Sequence, residues 1–62
     1  MSAETERLLA ERAAVRAQGA TEDAVAQIKA GKQEDAQRLI NEAYRHLGNA
    51  SKSLIRLAEL ER

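Results

Sequence analysis

Alanine returns every seven residues in two separate runs of this chain. The first run is Ala3, Ala10, Ala17 and Ala24; the second is Ala36, Ala43 and Ala50, with Leu57 at the next step. A seven-residue apolar repeat keeps one side of an α-helix turned toward a neighbouring helix. Alanine at that repeat lets two backbones approach closely, because its side chain is a single methyl group. Two such runs, separated by Ala30-Gly31-Lys32-Gln33, predict two long helices folded back on each other.

Local signals agree with that reading. Ser2 is placed to cap the first helix, and Glu4 and Glu6 fall in its first turn, where carboxylates favour the positive end of the helix dipole. Steps of three and four from Leu9 reach Ala13, Ala17, Ala20, Ala24 and Ile28 without losing phase. Gly19 lies off that stripe and costs about 1 kcal/mol. Lys29 closes the helix with positive charge, and Gly31 supplies the left-handed residue that ends many helices. Glu34 and Asp35 open the second helix, whose stripe reads Ala36, Ile40, Ala43, Leu47, Ala50, Leu54, Leu57. A division into shorter helices, starting at Thr21-Glu22-Asp23 and stopping at Gly48-Asn49, competes with this; both stripes run through those points in phase. The expected fold is all-α: an antiparallel helical hairpin with helices over about 3–30 and 33–61, one domain over 1–62, dimerising into a four-helix bundle. A turn near Gly31-Lys32 sets Ala20 near Ala43, Ala17 near Leu47, Ala13 near Ala50 and Ala10 near Leu54, so that small residues face large ones.

A lone hairpin leaves half of each helix wet. Small scaffolds find the missing surface in disulfides, metals or association. There is no Cys and only one His, which removes disulfides and argues against a zinc site. No cofactor is expected, and association remains. Leu8, Val15, Val25, Leu39, Tyr44, Ile55 and Leu60 lie toward the flanks of the seam and form the expected partner surface, with His46 at its edge. The expected partner is a second copy in a twofold dimer, or another helical protein.

Ten basic residues balance ten acidic ones, which removes the electrostatic footprint of a general nucleic-acid binder. Arg38, Arg45 and Lys52 recur every seven residues beside Arg56 and form a basic line with the chemistry for phosphate contact. With a single aromatic residue to stack on bases, a solvated face is the expectation instead. Glu42 and His46 share a helical face, but their spacing is not the Glu-x-x-His of carboxylate-bridged dimetal bundles, so no metal is expected. Ser2, Ser51 and Ser53 lack the neighbouring base that nucleophilic catalysis needs, and no small-molecule substrate is indicated. Asn49-Ala50-Ser51 matches a glycosylation sequon, but no secretory signal accompanies it and glycosylation is not expected. The opening Met1-Ser2-Ala3-Glu4-Thr5-Glu6 has no apolar core, and no apolar run is long enough to span a bilayer. A cytoplasmic, non-enzymatic protein with no membrane segment is expected.

Gly31-Lys32-Gln33-Glu34-Asp35-Ala36, followed by Ile40 and Ala43, resembles the turn and second helix of a tetratricopeptide repeat over about fifteen residues. The first helix lacks that repeat's large aromatic positions. In size and layout the chain is also similar to the plasmid copy-number RNA-binding dimers of the Rop type, and to the small hairpin chaperones of type III secretion. These likenesses rest on layout rather than a shared motif, and no family is assigned from them. The function expected is a homodimeric interaction or assembly module with an adaptor or regulatory role. The alternatives are a small obligate subunit or chaperone for a different protein, and an RNA-binding dimer.

Overall fold

The computed structural model describes residues 2–62; Met1, part of the domain expected over 1–62, lies outside the described residues. Two helices make up the fold, α1 (Ala3–Lys29) and α2 (Gln33–Leu60), and they form a rod of 47 × 13 × 13 Å. The bounds match the expected hairpin to within a residue.

Each helix end has a local cause. The Ser2 side-chain hydroxyl accepts from the Thr5 backbone N–H at 3.2 Å, which satisfies one of the unpaired donors of the first turn. At the other end of α1, Gly31 takes φ of +76°. Its N–H bonds the Ile28 carbonyl at 3.0 Å, and the Lys32 N–H bonds the Gln27 carbonyl at 2.9 Å. These two bonds form a Schellman motif, which reverses the chain within three residues. Neither candidate break interrupts a helix. Thr21, instead of capping a new helix, donates its hydroxyl to the Ala17 carbonyl one turn back at 2.9 Å. Gly48 and Asn49 continue α2.

The core is almost entirely alanine. Ala10, Ala13, Ala17, Ala20 and Ala24 of α1 are buried against Ala36, Ala43, Ala50 and Leu57 of α2, with Ala17, Ala20 and Ala43 at the centre. The seam takes each repeating alanine and the residue three positions on. In α1 these are Glu6, Ala13, Ala20 and Gln27; in α2 they are Leu39, His46 and Ser53, all buried or half-buried. At mid-rod Ala17, Ala20 and Ala43 cluster, as the expected Ala20–Ala43 pairing requires, but Leu47 and Leu54, expected opposite Ala17 and Ala10, do not enter the seam. Of the residues expected in the two stripes, Leu9, Ile28, Leu47 and Leu54 are exposed and Ile40 is half-buried. The cause is steric. Methyl-to-methyl contact needs closely spaced backbones, and a leucine row between the helices would hold them apart.

At the open end of the hairpin the seam contains a carboxylate. Glu6 is fully buried, and Arg56 Nε donates to both of its oxygens at 3.1 Å. Arg56 Nη2 also donates to Ser53 Oγ at 3.2 Å. One turn outward, Arg7 bridges Glu61 at 2.8 Å. These contacts close the free ends of the rod where the alanine seam runs out.

Candidate interaction surface

The rotation of α2 that buries Ala36, Ala43 and Ala50 carries its bulkier residues to one side. Ile40, Tyr44, Leu47, Ser51, Leu54 and Ala58 follow one another at steps of four and three, which is a second seven-residue stripe beside the seam. Leu47 is 50% exposed, Leu54 54% and Tyr44 70%. The α1 residues on the same side are Ala14, Thr21 and Ile28. A shallow groove of about 210 Å³ runs between the helices there, lined by Thr21, Ile40, Ala43, Tyr44 and Leu47. No charged side chain lines this groove. The Arg7–Glu61 pair marks the far end of the apolar flank.

The opposite flank has a different character. Its groove, about 420 Å³, is lined by Arg12 and Arg16 from α1 and by Lys52 and Arg56 from α2, over a floor that includes Ala13 and Ser53. The two sides of one rod thus present an apolar surface and a cationic one.

The residues expected at a partner surface are distributed unevenly over this frame. Tyr44 stands on the apolar flank and Val25 beside it, both exposed. Leu8, Val15 and Ile55 are exposed on the outward faces, away from either groove. Leu39 is half-buried in the seam. Leu60 lies at the open end with Glu6, Arg56 and Glu59. The His46 side chain is only 16% exposed, with Nε2 3.9 Å from Glu42 Oε1, and it lines the cationic groove. Ile40, Leu47 and Leu54 with Ile28 form the heart of the apolar flank, although the alanine-phased stripes predict them inside the hairpin. Its four-three spacing was visible, but spacing alone does not say which of two adjacent stripes turns inward.

The basic line of α2 is also divided. Arg38 pairs with Asp35 at 3.0 Å and Arg45 with Glu42 at 3.8 Å, both on exposed surface. Lys52 and Arg56 instead join Arg12 and Arg16, which lie outside the expected basic line. The pairing of Glu6 with Arg56 was missed too. Its signal was a carboxylate at a seam position, which a tight core accepts only with a partner.

Among the described residues, no three His, Asp or Glu side chains gather where they could hold a metal ion, and no helix is long and apolar enough to cross a membrane. Set against protein-family models, curated proteins and solved structures, the chain matches none of them.

Proposed function

We propose that this chain is a non-enzymatic assembly module whose apolar flank docks on a second copy of itself to form a four-helix bundle. The observation that carries this reading is the position of the large apolar side chains. Of the twelve Leu, Ile and Val residues, Leu57 alone is buried, and several of the rest line one flank in helical register.

Surface area supports the reading. The molecule exposes 4725 Å², whereas a compact monomer of 6.8 kDa exposes about 4,000 Å². The excess of roughly 700 Å² approaches the ~800 Å² that each partner covers in a stable complex. The stripe is also self-complementary. In an antiparallel pairing of α2 with its copy about a twofold axis level with Asn49, Ile40 faces the partner's Ala58, Tyr44 faces the partner's Leu54, and Leu47 faces the partner's Ser51.

Sedimentation equilibrium at micromolar concentration tests the proposal, with twice the chain mass expected. Burying the exposed half of Leu47 or Leu54 is worth about 1 kcal/mol, so Leu47→Gln with Leu54→Gln removes about 4 kcal/mol per dimer, nearly a thousandfold in Kd. A folded parent monomer overturns the reading, as does a dimer unaffected by Leu47→Gln with Leu54→Gln. A chain that folds only when co-expressed with a different protein assigns the flank to that protein instead.

A further inference from the structure

We propose that the cationic groove opposite the apolar flank is a binding site for a compact phosphate-bearing anion, of the size of pyrophosphate. The chain has as many acidic as basic residues, yet no carboxylate lines this groove of about 420 Å³, while four permanent cations do: Arg12, Arg16, Lys52 and Arg56. Among the described residues, Arg12, Arg16 and Lys52 make no ion pair, in contrast to Arg7, Arg38 and Arg45. Each wall of the groove carries two like charges four residues apart, an arrangement that disfavours a helix unless something neutralises it. The two walls face each other, so the repulsion acts across the groove as well as along it. A polyvalent anion lying between them relieves both.

Shape fits the same ligand. Small seam residues, Ala13 and Ser53, form part of the floor and leave the groove open. Arg12 and Arg16 are one turn apart, as are Lys52 and Arg56, so the cations span about 6 Å along the rod. That is the reach of two linked phosphoryl groups. Guanidinium forks supply paired donors to phosphate oxygens, and the Asn49 amide and His46 ring line the same groove. Two carboxylates adjoin the groove without lining it: Glu6 is buried and held by Arg56, and Glu42 lies 3.9 Å from His46 Nε2. Arg56 is therefore a structural member of the wall, and the recognition falls chiefly to Arg12, Arg16 and Lys52. No Phe, Tyr or Trp lines the groove and the His46 side chain is only 16% exposed, so the groove has no open aromatic platform for successive bases, and the site favours a small phosphoanion over a nucleic-acid strand.

The test is a titration of the full chain with pyrophosphate at constant ionic strength, followed by backbone amide NMR. Saturable shifts are expected at Arg12, Arg16, His46, Asn49 and Lys52, with a Kd of about 1 mM or tighter. Arg16→Gln with Lys52→Gln weakens binding at least about tenfold and leaves helical circular dichroism unchanged. Arg38→Gln with Arg45→Gln removes the same charge outside the groove and leaves binding as it was. Non-saturating shifts, or equal losses in the two double variants, overturn the proposal. So does a short single-stranded oligonucleotide that binds more tightly than pyrophosphate and shifts Arg38 and Arg45 as well, an outcome that assigns the surface to nucleic acid. Because the groove lies away from the apolar flank, dimer mass and anion binding are read separately, and each proposal stands or falls by itself.

Discussion

Ala17→Leu tests the central packing claim. Ala17 is 2% exposed and sits with Ala20 and Ala43 at the middle of the rod. If small faced large, as the pairing of Ala17 with Leu47 anticipated, an added leucine would compete with a neighbour that could swing aside. In the structure it meets two methyl groups on backbones that cannot yield without separating the helices. Three added carbon atoms in a close-packed site cost about 1–3 kcal/mol. The upper end applies here, because forcing the helices apart at mid-rod also loosens the alanine contacts one turn either side. At about 4–8 °C per kcal/mol for a chain of this size, a cost of about 2–3 kcal/mol lowers Tm by roughly 10–20 °C. Ala26→Leu is the control, on an exposed face away from both grooves, and shifts stability by no more than about 0.5 kcal/mol. Thermal and urea unfolding followed by circular dichroism, at one fixed chain concentration because association shifts apparent stability, measure both variants. An Ala17→Leu protein as stable as the parent, or more stable, would refute the alanine seam.

Other expectations follow from the ends of the rod. Arg56→Ala leaves the buried Glu6 carboxylate without its partner and costs about 2–3 kcal/mol by urea denaturation; a loss below about 0.5 kcal/mol would show that the pair is as weak as an exposed one. Near the turn, Gln27 Oε1 is buried without a hydrogen-bond partner. Gln27→Leu removes that unsatisfied acceptor and raises stability by about 1 kcal/mol, read as a higher urea midpoint at unchanged slope; a lower midpoint would show that the amide is satisfied in solution.

The elements of this protein were legible from its residues because their causes are local. The Ser2 cap, the φ of Gly31 and the unbroken alanine repeat each act within a turn or two of chain, so helix bounds and hairpin topology followed without knowledge of distant contacts. The candidate surface was legible only in part. Tyr44 and Val25 are exposed, as expected, whereas Leu47 and Leu54, expected within the hairpin, are exposed and Ile40 is half-buried.

That difference is one of helix rotation. After each alanine of α2, the residue three on and the residue four on are both within reach of the seam, and turning from one choice to the other takes roughly 50°, half the 100° between successive residues. Hydropathy favoured the second choice, which would bury Ile40, Leu47 and Leu54. Tertiary packing selected the first, burying Ser53 and half-burying Leu39 and His46, because backbones drawn together by alanine leave no room for a leucine row and because Arg56 then reaches Glu6. Periodicity along a chain determines that a helix has an apolar side; only the neighbouring helix determines which part of that side is closed and which part is left for a partner.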